Sequence, residues 1–451
     1  MHIDRTPPFL DPPRGFFASL RYLGPGLILS AAIVGSGELI ATTTLGAKAG
    51  FAVLWVILLG CFLKVAVQLQ YGRQAIASGQ ASFKAWNAGR GARIFGLHWS
   101  VYFGVLFLFG MLVGQGGVLG GAAQAAQYAV PNAPTDVVAA AIAVVLALLV
   151  FRGTYRHIER LATVFNVLFT SLVLYCIFAV QRTEFAFGWK SIADGLSLEM
   201  PPESLTLALT AFGITGLSAG EIFVYPSWCI EKGYAAWTGP RDGSAEWAAR
   251  ARGWMRVMKY DALVSLAVYT LATIAFYLLG AAVLQPQGDV VDGSNVIRQL
   301  SQIFTDVIGR QTLTLFMAGA FLVLFSTAFS NLAGHSRLWV DFFGISGLCD
   351  SSNTATRKRL LAILAWVMPL VWCLSYIAVR KPIALVVVLG VTNAVFLLVV
   401  AYQALVFRYR STDPALTPTK GFDLLLWISV LTIGFMAARV AWITYLDVTR
   451  A

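Results

Sequence analysis

The sequence predicts an all-α integral membrane protein, built from two inverted five-helix repeats with broken helices 1 and 6 and an added eleventh helix. Three observations carry this expectation: a composition unsuited to water, eleven apolar runs of spanning length, and a Gly-Glu pair that recurs in the first and sixth runs. Of 451 residues, 58% are hydrophobic and only 12% charged, with a mean hydropathy of +0.73. Soluble domains carry about 25% charged residues, so this chain needs a bilayer as its solvent. No hydrophilic stretch is long enough to fold apart, and the chain reads as one membrane domain.

The apolar runs lie at about 22–47, 50–72, 97–124, 135–151, 161–181, 205–230, 260–284, 311–340, 359–379, 383–407 and 424–446. Each can cross about 30 Å of hydrocarbon as a helix. Barrel strands would be shorter and alternate in polarity. The opening segment holds Asp4, Asp11 and four prolines before the first run. It has no apolar stretch ending in a small-residue cleavage site, and is expected to be a short stiff tail rather than a signal peptide. The five cysteines, at 61, 176, 229, 349 and 373, show neither CxxC spacing nor a disulfide framework.

Charge gives the orientation. Alternate loops hold 23 Lys and Arg, whereas the opposite set holds 8. The positive-inside rule then puts the N-terminus in the cytoplasm and, with eleven spans, the C-terminus outside. The net charge of +11 is thereby assigned to a membrane surface facing anionic lipid, not to nucleic acid. The expected organisation is a cytoplasmic tail at 1–21, a first repeat at 22–181, an external loop at 182–204, a second repeat at 205–407, and an inner loop with the eleventh helix at 408–451.

Run 1 centres on Gly35-Ser36-Gly37-Glu38, and run 6 on Gly216-Leu217-Ser218-Ala219-Gly220-Glu221. Each is followed by four further runs, so the chain divides into two five-helix units. An odd number of helices forces the second unit to enter from the other side, the inverted-repeat plan of many secondary transporters. Glycine supplies the freedom that local unwinding needs, and the released carbonyls can then bind ions. A charge at mid-bilayer costs about 2.5–3.5 kcal/mol even on the lenient insertion scale. Either each Glu braces its break, or Glu38 and Glu221 share a cation. With hydroxyls of Ser36 and Ser218 and carbonyls near Gly35 and Leu217, two carboxylates form an all-oxygen site suited to a hard divalent ion such as Mg²⁺, Mn²⁺ or Ca²⁺.

Around these motifs the chain resembles the Nramp family of divalent-metal transporters, from Gly24 to the last span. The likeness rests on Gly24-Pro25-Gly26, the LGAKAGF segment, Leu54-Trp55-Val56, Gln68 and Ile76-Ala77-Ser78-Gly79. It implies the LeuT-type plan of two inverted five-helix repeats with helices 1 and 6 broken. The binding motifs depart from the family pattern. Where the family has Asp-Pro-Gly-Asn, this chain has Gly35-Ser36-Gly37-Glu38. Where it has Ala-x-x-Met-Pro-His, this chain has Leu217 to Ile222, with Gly220 in place of the sulfur ligand and Glu221 next to it. Loss of the thioether removes the soft donor that favours transition metals. Loss of the helix-1 Asp and helix-6 His leaves proton coupling to a buried Glu. Asn393 lies near the family's polar metal-site position in helix 10.

Other buried polar residues keep two readings each. Lys64 either snorkels to the cytoplasmic surface or pairs with Glu38 or Glu221. Gln115 and Gln124 line a pathway, or their glycine-rich stretch packs helices. Asp261 is expected at the cytoplasmic mouth of span 7, His335 and Arg337 at the interface, and His157 in a basic loop. The inner segment around Trp237–Lys259 is expected to be an amphipathic helix on the membrane. No nucleotide-binding loop, Ser-His-Asp set or zinc motif occurs, so the chain reads as no enzyme and needs no cofactor; the divalent metal is cargo. The rival readings are a transporter of an organic cation or amino-acid-like solute, and a non-transporting sensor.

Overall fold

The computed structural model describes residues 9–152, 155–199, 208, 211–213, 215–287, 297, 301, 305, 309, 313–351 and 353–450. Span 1 is two helical pieces, Pro25–Ile33 and Thr43–Ala49, joined by a π-helical stretch Ser36–Thr42. Span 2 runs Leu54–Ser78, and span 3 runs Trp99–Gly114 and on through Gly116–Gln127. Spans 4 and 5 are Thr135–Arg152 and Tyr155–Val180. Span 6 is helical at Ala211–Gly213, irregular from Thr215 to Ser218, and helical again over Ala219–Lys232. Most of its first half, like the side chain of His157, lies outside the described residues. Spans 7 to 11 are Ala245–Leu279 with a π-helical extension Gly280–Leu284, Leu313–Ile345, Thr354–Val379, Pro382–Val406 and Lys420–Arg450. Among the described residues, eight helices are long and apolar enough to cross a membrane.

Sequence explains where the first span starts and stops. Pro25 occupies the first helical turn, where its missing N–H is not needed. The free N–H groups at that end find a carboxylate from another helix: Asp261 accepts from Gly24 at 2.8 Å and Gly26 at 2.6 Å. A helix N-terminus favours an anion in this position. Asp261, expected at the mouth of span 7, instead lies within that helix, several turns past its start at Ala245, where it is fully buried and acts as the cap of span 1.

The basic loops gather at one end of the bundle. There Lys232 reaches Leu23 O, Arg73 reaches Leu416 O, Arg241 pairs with Asp413, and Arg408 with Asp423. At the other end Arg380 pairs with Asp136, and the Trp55 indole donates to Glu199 O. This is the two-sided segregation that the alternating charge required.

Two further expectations fail here. Residues 245–259 do not form a separate helix lying on the membrane; they are the first turns of span 7. Trp247 and Trp254 within them are buried, and Trp254 donates to Leu10 O while stacking against Tyr234. The N-terminal tail covers what would have been an apolar surface face. His335 and Arg337, near the end of span 8, do not face the surface of the bundle either. Both are buried, and Arg337 makes a two-pronged ion pair with Glu231 at 2.7 and 2.8 Å under the face of Trp228. A paired guanidinium can leave water where a lone one cannot.

Candidate functional site

The irregular stretch of span 6 is the centre of the site. In a continuous helix the Phe212 and Thr215 carbonyls would accept from the N–H groups four residues on, at 216 and 219. Gly216 instead adopts a left-handed φ of 59°, and its N–H turns to Glu38 Oε1 at 3.0 Å. A Cβ at this glycine would stand 3.0 Å from Cys61 Cα of span 2. Glycine is therefore needed for both conformation and space.

Glu38 lies in the π-helical part of span 1, fully buried. Besides Gly216, its Oε1 is 3.0 Å from the hydroxyl of Thr273 in span 7, which also lies 2.7 Å from Tyr269 O. Its Oε2 is buried with no hydrogen-bond partner among the described residues. Glu221 is held differently. It forms a capping box with Ser218, taking the Ser218 N–H at 3.0 Å and the Ser218 hydroxyl on the same oxygen. Here the serine and the acid secure the start of the second half-helix reciprocally.

The Gly220 N–H, next along, donates to Asn393 Oδ1 at 3.1 Å. The Asn393 amide donates in turn to Leu389 O at 2.8 Å and faces Met111 Sδ at 3.3 Å. Asn393, expected near the site from span 10, is thus joined directly to the break. Leu217 is fully buried at the same point. Gly35 is pressed against Thr327 of span 8, whose side chain fills the place where a Cβ would stand. The side chain of Ser36 lies outside the described residues.

Lys64 follows neither expectation. It does not snorkel, because it is completely buried, and no ion pair joins it to either carboxylate among the described residues. Its ammonium donates to Phe212 O at 2.6 Å and Thr215 O at 2.7 Å, above the Phe212 ring. The carbonyls freed by the break are better acceptors for a buried ammonium than a distant membrane surface.

Sequence reasoning missed Met111 and Thr273. Met111 of span 3 places its methyl 3.4 Å from where a Cβ on Gly220 would be, so a thioether borders the position that lacks one in span 6. A methionine in an apolar run carries no local mark of such a role. Thr273 was hidden because a threonine within a helix ordinarily satisfies itself on the carbonyl four residues back. The glycines of span 3 serve packing: Gly116, Gly117 and Gly120 abut Trp372, Pro382 and Tyr376. Gln115 in the same span is buried, with its amide unpartnered among the described residues.

Comparison with known proteins agrees with this architecture. Residues 26–442 match the model of natural resistance-associated macrophage protein-like (Nramp) proteins. A crystal structure of the Eremococcus coleocola manganese transporter, a histidine-to-alanine mutant, superposes with a TM-score of 0.69 at 16% identity, covering 95% of this chain and 88% of that one. MhsT in complex with L-phenylalanine gives 0.61 at 15% identity, covering 92% and 97%. Mhp1, a nucleobase-cation-symport-1 family transporter, gives 0.56 at 15% identity, covering 98% and 96%. The search of curated proteins returned no match. The shared architecture is the all-α LeuT-type membrane fold expected above. With its model matched across residues 26–442, this chain belongs to the Nramp family, multi-pass membrane transporters rather than enzymes, which carry metal ions as cargo and not as cofactors.

Proposed function

We infer that this protein is a secondary transporter moving a divalent metal cation, Mn²⁺ or Mg²⁺, across the membrane by alternating access. The reading rests on Glu38 Oε2, a fully buried carboxylate oxygen with no donor among the described residues. An unsatisfied buried acceptor costs about 1–3 kcal/mol, and more when charged, which a bound cation would offset. Glu221 lies on the other side of the break, with one oxygen engaged by Ser218. Together with the Ser36 and Ser218 hydroxyls, Asn393 and backbone carbonyls near Gly35, Leu217 and Gly220, the two acids would form the ion's shell. The repeats at 22–181 and 205–407 would rock about this point.

The basic end of the bundle supports a cytoplasmic N-terminus and an external C-terminus in the plasma membrane. A carboxylate that trades its proton for the metal would couple uptake to protons. The test is uptake of Mn²⁺, Mg²⁺ and Ca²⁺ into proteoliposomes, with internal pH followed at the same time. Flux that is saturable in wild type and lost in Glu38→Gln is expected. Full metal flux in both Glu38→Gln and Glu221→Gln overturns the proposal. Uptake of an organic cation without metal would carry the organic-solute reading instead.

A further inference from the structure

We propose that Lys64 is a tethered cation, filling a monovalent-cation site built from the backbone carbonyls at the break of span 6. The observations are geometric. Phe212 O and Thr215 O lose their helical partners where the chain unwinds, and both turn to one ammonium at 2.6 and 2.7 Å. The Phe212 ring lies 4.9 Å beneath that charge, a favourable cation–π distance. The side chain is wholly buried, so no water competes for the carbonyls.

Converging carbonyls in an unwound membrane helix are a ready receptor for a bare cation. Here the cation arrives on a four-carbon stem from span 2. The break is consequently held from both sides: an acid takes the freed N–H of Gly216, and an amine takes the freed carbonyls. A protein carrying its own cation at this point requires none from solution. It should be indifferent to Na⁺ and K⁺, and it should become dependent on them once the amine is removed. This inference does not depend on the nature of the cargo.

The test is thermal unfolding of the purified full-length protein in chloride salts of choline, Na⁺, K⁺ and methylammonium. Wild type is expected to melt at one temperature in all four. Lys64→Ala is expected to melt several degrees lower in choline, and to recover at least half the loss in one of the small cations. That recovery should rise with the logarithm of concentration, as mass action requires. If Lys64→Ala yields no folded protein, Lys64→Arg and Lys64→Gln in the same salts decide. Arginine, which keeps the charge, should remain indifferent to salt; glutamine, which keeps N–H donors but no charge, should become cation-dependent. The proposal is overturned if Lys64→Ala melts as wild type does in choline, if no small cation restores it, if Lys64→Gln is indifferent to salt, or if wild type is itself shifted by Na⁺ or K⁺.

Discussion

At the residue scale the two acids are not equivalent, although the sequence presents them as mates. Glu221 fits the local capping rule, Ser at the cap and Glu three residues on, and one of its two oxygens is engaged by the Ser218 N–H and hydroxyl. Glutamine serves a capping box nearly as well. Glu221→Gln is therefore expected to leave the melting temperature within a degree or two of wild type, while Ser218→Ala costs about 1 kcal/mol; denaturant or thermal unfolding checks both. Glu38 has an oxygen to spare. Glu38→Gln is expected to fold, because its amide oxygen can still accept from Gly216, and to weaken Mn²⁺ binding by more than about tenfold, the equivalent of 1.4 kcal/mol. Isothermal titration reads the difference directly. A thioether beside Gly220 favours Mn²⁺ over Mg²⁺, so Met111→Leu should reduce that preference, which competition in a flux assay would show.

At the element scale, each broken helix is held in shape by side chains from other helices. Span 1 is capped by Asp261 of span 7 and pressed at Gly35 by Thr327 of span 8. Asp261→Ala strands two buried N–H groups, each worth about 1–3 kcal/mol. Amide hydrogen exchange at residues 24–30 should rise well above that of the rest of the span. Gly35→Ala drives a methyl into Thr327, an overpacking expected to cost about 1–3 kcal/mol. Adding Thr327→Ala should return part of that loss in a thermal melt, and no recovery would mean that the contact is not what limits the site. These effects were only half legible beforehand. The glycines announced that helices 1 and 6 break, because local conformational freedom is a local property. The partners that hold the breaks come from residues more than 100 positions away in several cases, and nothing in their immediate sequence marks them.

For the whole molecule, the alternation of basic loops anticipated which segments meet at each end. The contacts of Lys232, Arg73, Arg241 and Arg408 fall together as that pattern required. The same end holds the ion pair of Glu231 with Arg337, which ties the second half of span 6 to span 8. A second arginine, Arg357 at the start of span 9, joins Glu231 at 3.6 Å. If alternating access requires span 6 to separate from span 8 at this end, breaking the pair should favour the separated state. Glu231→Gln is expected to increase the reactivity of a cysteine introduced at Val224 toward a soluble thiol reagent. Unchanged labelling would show that the pair does not hold this end shut.

The opening composition, the eleven runs, the charge alternation and the two Gly-Glu pairs determined a helical membrane transporter with broken helices 1 and 6. These are properties that hydrophobic thickness and glycine backbone freedom impose locally, so a linear reading suffices. What each buried charge does was decided only by the tertiary structure. Lys64 turned neither to the surface nor to an acid, but to Phe212 O and Thr215 O. A buried charge settles on whichever partner leaves the fewest groups unsatisfied, and here that partner is a backbone freed by its own unwinding.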